Sequence, residues 1–396
     1  MTLEPTQMNK TEIDQWRIAL YYIYVDLENH VDEQLELHQK LCQDLELQGR
    51  IRISTEGVNG VLSGKRIQLQ EYEECVTRSL ERISGTSIDL DVKYCHLRED
   101  IPIESQLFDS LMVKRTQSVI SLFDYEPPPA TKKNRRRRQK EMMEQGEEKK
   151  SGDSASFDLK EHQKSMMKHN PSPHLSAEEW NAKLLDAKKD TSLLVDVRNV
   201  YESRVGHFSA PEVPTLLTNT RKYSDLPELL ANNPHVQKSE KIFAYCTGGV
   251  RCERVSMLIQ SLYPEKEIYQ LQGGIQSYLE FQASKGEGHN EDSLNLFRGK
   301  NFVFDPRRTD PTHGPDAVVG KCLVCCAPHD DYDNGHAPSE GKEARCNVCR
   351  MLVLVCNDCR PKYACWGEEA MEERPLLFCG TTNCVHEGAA PIPELI

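Results

Sequence analysis

Six residues, Cys246-Thr247-Gly248-Gly249-Val250-Arg251, followed at once by Cys252, restrict the fold of this chain more than any other stretch. The five residues before them, Lys241-Ile242-Phe243-Ala244-Tyr245, predict a buried strand. Glu253 to Leu262 predict a helix with Val255, Leu258 and Ile259 on one face. A cysteine between a strand end and a helix N-terminus sits where backbone N–H groups point outward, and such a nest stabilises a thiolate or the anion it carries. A nearby arginine lowers the thiol further. The glycines let the backbone curl tightly around one central atom.

The length of the loop carries information as well. Four residues separate Cys246 from Arg251. This resembles the active-site loop of rhodanese-type sulfurtransferases, whereas the related cysteine phosphatases place five residues there and so make room for a phosphate. The resemblance implies a persulfide on Cys246, with Thr247, Gly248, Gly249 and Val250 as the loop around it and Arg251 as its electrostatic partner. Two further stretches fit the same domain. One is Leu193-Leu194-Val195-Asp196-Val197-Arg198, continuing to Glu202 and Gly206-His207-Phe208; the other is Leu271-Gln272-Gly273-Gly274-Ile275. Asp196, at a strand end, and Arg198 read as structural anchors. Cys252 is placed to resolve a persulfide by forming a disulfide, since a low-pKa thiolate is both a good attacker and a good leaving group.

A chain of 396 residues exceeds one ordinary core, so two or three domains are expected. No apolar run approaches the length of a membrane span, and Met1 to Gln15 has neither a signal-peptide core nor an Arg-rich transit pattern. A cytoplasmic address is the default, with the nucleus admitted by the basic run from Lys132 to Lys140. The net charge of −13 argues against a nucleic-acid grip by the whole surface, but not against a local basic groove.

Residues 16–125 predict the order strand–helix–strand–strand–helix–strand: strands at Trp16–Val25, Arg50–Ser54, Val58–Ser63 and Ile88–Cys95, and helices at Val31–Leu47 and Ile67–Ile83. Leu35, Leu37, Leu41, Leu45 and Leu47 mark the apolar face of the first helix. That order is the ferredoxin-like α+β arrangement. Between the second and third strands, Gly57, Gly60 and Asn59 suit a tight turn. Glu56 and Asn59 are alternatively substrate-facing residues. Lys65 and Arg66 are a candidate phosphate contact or a solvated helix start. Residues 126–172 read as a charged, disordered linker, beginning Pro127-Pro128-Pro129 and poor in apolar anchors. Residues 173–290 hold the second domain, and Ser176 with Glu179 predicts a capping box at its first helix. Residues 291–320 read as a connector.

Ten of the 15 cysteines lie at or after Cys322. In a reducing compartment this clustering favours metal over disulfides. The pairs are Cys322/Cys325, Cys346/Cys349, Cys356/Cys359 and the looser Cys379/Cys384, with Cys326, Cys365 and His386 as substitutes. Two residues between ligands let both sulfurs face one ion, and four thiolates make one tetrahedral site, so one or two structural zinc ions are expected. The segment 321–386 has too few apolar residues for a sizeable core, and metal would supply its folding energy.

Three stretches together resemble one family: Arg52-Ile53-Ser54-Thr55-Glu56-Gly57-Val58-Asn59-Gly60-Val61-Leu62-Ser63-Gly64; Asp196 to Glu202 continuing through Val205-Gly206-His207-Phe208; and Tyr245 to Glu253. Gly299 to Asp305 and the cysteine-rich tail fit its ending. The chain resembles the rhodanese-domain tRNA uridine hydroxylases, in an eukaryotic-type form, over about Trp16 to Cys384 except the linker. The resemblance implies a ferredoxin-like domain, a rhodanese α/β domain with a parallel sheet and a small zinc-binding domain. It implies oxygen-dependent formation of 5-hydroxyuridine at the wobble position, with the tRNA anticodon loop as partner, a sulfur donor or reductant, and Cys246 essential. No Rossmann glycine fingerprint or 2-His-1-carboxylate spacing is present, so no bound organic cofactor is expected. The alternatives are a plain sulfurtransferase acting on a small-molecule or protein thiol and a zinc-tethered interaction protein.

Overall fold

The structure is a computed structural model. It describes residues 15–97, 103–123, 166, 170–285, 295–302, 318–332, 344–364, 377 and 379. The basic run 132–140, Cys365, Cys384, His386 and nearly all of the expected linker lie outside the described residues.

The first domain consists of β1 (Trp16–Tyr24), α1 (Val31–Asp44), β2 (Gln48–Ser54), β3 (Gly57–Lys65), α2 (Arg66–Ser84), β4 (Lys93–His96), a short α3 (Ile103–Gln106) and β5 (Leu111–Arg115). Its sheet runs β4-β1-β3-β2-β5. Strand alternation sends Ala19, Tyr21, Ile51, Ile53, Val58 and Leu62 to the helical side, where they are buried. In α2 the spacing of Leu69, Tyr72, Val76 and Leu80 builds the matching stripe. The ferredoxin-like reading holds, with additions and corrections. β5 was not expected; it joins the edge by pairing parallel with β2, a long-range contact that a five-residue segment without clear alternation does not announce. The fully buried positions of α1 are Val31, Gln34, His38 and Cys42 rather than the leucines, most of which sit partly buried at the margins of the stripe. His38 is tolerated because its Nδ1 lies 2.5 Å from the Tyr72 hydroxyl, which in turn meets the hydroxyl of Tyr21. The hairpin turn is Thr55-Glu56, while Asn59 and Gly60 lie within β3.

The second domain consists of β6 (His174–Leu175), α4 (Ala177–Asp186), β7 (Ser192–Asp196), α5 (Val200–Ser203), β8 (Gly206–Phe208), β9 (Thr215–Leu217), α6 (Leu226–Asn232), α7 (Pro234–Lys238), β10 (Lys241–Tyr245), α8 (Val250–Leu262), β11 (Glu267–Leu271) and α9 (Gly274–Ser284). The sheet β6-β11-β10-β7-β9 is parallel throughout. Its core wraps Trp180, fully buried and edge-on to Phe208, Phe243 and Tyr245. The capping box of Ser176 and Glu179 forms as the sequence predicts. The connector contributes β12 (Phe297–Gly299), paired antiparallel with β8.

The domains are stitched together. Ile120, Leu122 and Phe123, at the end of the first segment, pack into the core of the second domain, as does Met166. At the C-terminal margin of the expected linker, the Ser172 N–H donates to Ser256 Oγ at 3.1 Å, and its carbonyl accepts from Gln270 Nε2 at 2.8 Å.

Candidate active site and metal centre

β10 is the middle strand of its sheet, so Cys246 emerges at the carboxyl edge, where open α/β sheets bind their ligands. α8 begins at Val250, three residues earlier than the apolar pattern suggests, and Arg251 and Cys252 therefore belong to its first turn. Gly249 has φ +93°, and a Cβ there would stand 2.8 Å from the Tyr22 hydroxyl. Gly274, at φ +64°, lets the next turn approach so closely that a Cβ would come within 2.5 Å of the Cys246 carbonyl. That carbonyl accepts from the Ile275 N–H at 2.9 Å.

Cys246 is fully buried. Burial pushes its thiol up. The thiol of Cys252, the charge of Arg251 and the N–H groups of Arg251 and Cys252 together outweigh that, bringing it down to about 6. The Gly249 N–H also donates to Cys246 Sγ at 3.0 Å. Burial first, and then the neighbouring Cys246 sulfur, hold the Cys252 thiol well above its ordinary value. The pair is thus one thiolate and one neutral donor.

Arg251 reaches across to Glu202 with two bonds of 2.7 Å and donates to Thr247 Oγ1 at 2.9 Å. Burial alone would raise the Glu202 carboxyl, but the charge and hydrogen bonds of Arg251, with Arg198 nearby, hold it below the usual range. Arg251 therefore both holds the loop to Glu202 and biases the thiol. Asp196 and Arg198 form a separate, fully buried pair at 2.7 Å, and Arg198 continues to the Gly206 carbonyl at 2.5 Å. They brace the ends of β7 and β8 without reaching Cys246.

Sequence reasoning missed the cover over the loop. Alternation along β1 places Tyr22 and Tyr24 on the face away from the helices, and both touch the second domain. Tyr22 Oη donates to Glu253 Oε1 at 3.2 Å, and Tyr24 Oη donates to the Val250 carbonyl at 3.4 Å. Glu253 also meets His174 Nε2 at 2.8 Å and Gln270 Nε2 at 3.3 Å. Glu56 pairs with Arg254, whose guanidinium lies 4.5 Å over the Tyr24 ring, and accepts from the Val119 N–H at 2.8 Å. Asn59 Nδ2 donates to the Val119 carbonyl at 3.4 Å. Glu56 and Asn59 clamp the crossing segment and the second domain, and neither contacts Cys246. An open pocket of about 580 Å³ lies at the seam, lined in part by Tyr24, Thr55, Glu56, Glu253, Arg254 and Met257. Lys65 and Arg66 stand elsewhere, at the far end of β3 from Gly57, with the Lys65 ammonium 6.0 Å from the Trp16 ring.

In the tail, the sulfurs of Cys322, Cys325, Cys356 and Cys359 lie within 4.8 Å of one another, and those of Cys346, Cys349 and Cys379 form a second group. The pairs interleave: first with third, second with the described member of the fourth. Contacts of 3.6 Å between Cys325 and Cys356 and 3.5 Å between Cys349 and Cys379 lie close to the edge of about 3.8 Å expected for sulfurs about 2.3 Å from one tetrahedral ion. The donor set therefore fits a thiolate-bound metal. Cys326 is outside both groups; its φ of +60° closes the turn that begins at Cys322, as Arg350 at +65° does after Cys346. This cluster packs against Val200 and Tyr201 of α5, next to Glu202, and the Tyr332 hydroxyl donates to the Tyr201 carbonyl at 2.7 Å.

Among the described residues no helix is long and apolar enough to cross a membrane. Comparison with known proteins matches residues 16–119 to the UPF0176 acylphosphatase like domain, 177–281 to the rhodanese-like domain and 298–370 to the rhodanase C-terminal domain. The chain is 33% identical to rhodanese-like domain-containing protein 6 of Arabidopsis thaliana over 88% of its own length, and spans about half (51%) of that protein. It is 29% identical to the tRNA uridine(34) hydroxylase of Chlamydia pneumoniae, over 89% of this chain and 87% of that one. The Staphylococcus carnosus protein of the same name is also 29% identical, over 91% of both chains. The order of these matches, an acylphosphatase like domain, then a rhodanese-like domain, then a rhodanase C-terminal domain, follows the three units of the fold, and over most of its length the chain is similar to the tRNA uridine(34) hydroxylases.

Proposed function

We propose that this protein is a tRNA-modifying enzyme that hydroxylates the wobble uridine to 5-hydroxyuridine, with oxygen as oxidant, an external two-electron reductant that takes the second oxygen atom to water, and Cys246 as its reactive sulfur. The observation that carries this reading is the match to hydroxylases across the whole domain order, with the Cys246 loop intact. The thiolate held at about 6 supports a reactive role for Cys246, since a structural buried cysteine would be pushed the other way. Arg251 and Cys252 are its electrostatic and hydrogen-bonding partners, and Thr247 to Val250 form the wall. The anticodon loop is the natural substrate, because a base held in a stack hides its reactive edge and a loop can present it. Zinc is the metal we assign to the interleaved thiol groups, with Cys384 as the fourth donor of the second; its role is to fold the tail. Cytoplasm is the compartment that suits free thiols and tRNA.

The same loop supports a second chemistry. A sulfane donor such as thiosulfate can be attacked by the Cys246 thiolate, forming the Cys246 S–S bond and expelling sulfite, with the persulfide anion received by the N–H groups that now hold the thiolate. Nucleoside analysis of tRNA from a strain lacking the protein separates the readings. Loss of 5-hydroxyuridine, restored by the wild type and not by Cys246→Ser, is the expected result. Unchanged 5-hydroxyuridine with cyanide-labile sulfur on Cys246 would establish the sulfurtransferase instead.

A further inference from the structure

The face of the first sheet that turns away from α1 and α2 is neither apolar nor acidic. Cross-strand register aligns Tyr22, Asn59, Arg52 and Lys114 in one row and Leu20, Val61, Arg50 and Met112 in the next. At one end, Ile103 and Leu107 pack onto Ile18 and Leu20. At the other, Tyr22 and Tyr24 meet the Cys246 loop. Between these covers Arg50, Arg52, Met112 and Lys114 are exposed. Several other exposed cations on this domain are matched by acids, Lys40 with Asp44, Arg82 with Glu33 and Arg115 with Asp32, whereas Lys65 and Arg66, at the other end of β3, share with the strip the lack of a carboxylate partner among the described residues. Arg50, Arg52 and Lys114 have no carboxylate partner among the described residues. Arg50 instead lies 5.9 Å from the Phe108 ring.

We propose that this strip is the docking platform for single-stranded RNA, with Arg50, Arg52 and Lys114 on the phosphates of the loop whose base is offered to Cys246. The inference rests on the RNA-modification reading above. In a chain of net charge −13, three adjacent unpaired cations make a local positive field that a polyanion can use. Their placement on neighbouring strands of one sheet face suits an extended backbone better than a single anion. The strip also runs into the active-site seam: with strands about 4.8 Å apart, Arg52 lies roughly 10 Å and Lys114 roughly 14 Å across the sheet from Tyr22. Aromatic rings flank it at Phe108 and Tyr22, and an open sheet face with aromatic side chains is a general solution for holding unstacked bases. Lys65, by contrast, is six residues along β3 from Asn59, about 20 Å toward the other end, and serves as a comparator.

The test is charge reversal in the full chain, R50E/R52E/K114E, beside K65E/R66E. tRNA affinity should fall about tenfold or more in the triple variant, and the slope of log K against log salt should become shallower by about 2, the value for three lost phosphate contacts on a single strand. K65E/R66E should keep nearly the wild-type slope. Persulfide loading of Cys246 from thiosulfate should stay at the wild-type level in the triple variant, which reports an intact fold and separates docking from chemistry. Wild-type affinity and slope in the triple variant would overturn the inference, as would displacement of tRNA by an acidic peptide at concentrations as low as unstructured RNA needs. A wild-type protein that binds tRNA through this strip yet leaves uridine unmodified would break the proposed reaction and leave the platform standing.

Discussion

The molecule gathers cysteine sulfur in two places by two different means. At Cys246 and Cys252 the sulfurs are enclosed by a parallel sheet, a helix N-terminus and the Arg251–Glu202 pair. One is lowered to about 6 and the other is raised. In the tail, seven described cysteines gather into two groups on tight turns, with Val353, Leu354 and Val355 as much of the surrounding apolar support. The first site stabilises negative sulfur with N–H groups and a guanidinium that folding has already placed. The second gathers thiols within a small apolar cluster, in two groups that could each hold a metal ion. The two are not independent, since Val200 and Tyr201 touch the tail and Glu202 beside them holds Arg251.

Removing metal should expose this contrast most sharply. Structural zinc in small domains carries roughly 10–16 kcal/mol of apparent binding energy, so chelation should make the segment from residue 320 onward protease-sensitive while the rhodanese domain survives. Elemental analysis should find one or two zinc ions per chain before treatment. A chelated tail that still resists protease would end the comparison. Cys246→Ser should be next in size: loss of the reactive sulfur should cost about 10⁴-fold or more in 5-hydroxyuridine formation and leave metal content unchanged. Retention of most activity would remove Cys246 from both chemistries.

Arg251→Ala should have an intermediate effect. A charge-assisted contact is worth roughly 1.5–3 kcal/mol, so the Cys246 thiol should move up by about one to two pH units, measured by the pH dependence of its alkylation. Arg251→Lys should recover part of the shift, because the charge remains while the fork to Glu202 is lost. An unmoved thiol would mean that Arg251 only holds the loop. The smallest effect is expected from Cys252→Ala: its thiol helps to lower Cys246, but a thiol is a weak donor even to a thiolate, so the Cys246 thiol should rise by about one unit or less. In the wild type, alkylation of Cys246 should rise with pH through about 6 and level off above it. Because this thiol is an acid whose folded value is depressed, its stabilising contribution is complete above the ordinary thiol value and is lost as pH falls through about 6.

Part of the architecture is written in local signals. The capping box of Ser176 and Glu179, the strand ending at Tyr245, the cysteine pairs two residues apart and the strand–helix order of the first domain all depend on neighbours within a few positions. Such signals survive in a bare string of residues because backbone geometry is repeated wherever they occur. The Cys246 loop is legible for the same reason: its nest is built from consecutive N–H groups.

What the tertiary structure decided lies at long separation. Arg251 finds Glu202 49 positions away, Tyr22 finds Glu253 231 away, and Glu56 finds Arg254 198 away. β5 exists only because β2 offers it an edge. The interleaving of the cysteine pairs is of the same kind, since each pair alone is compatible with any partner. The sequence determined which residues could hold a thiolate, a metal or a turn. The relative placement of domains decided that β1 roofs the Cys246 loop, that Glu56 and Asn59 serve as a clamp, and that three unpaired cations share one open face, because contacts between distant segments follow from how whole surfaces pack and not from the residues beside them.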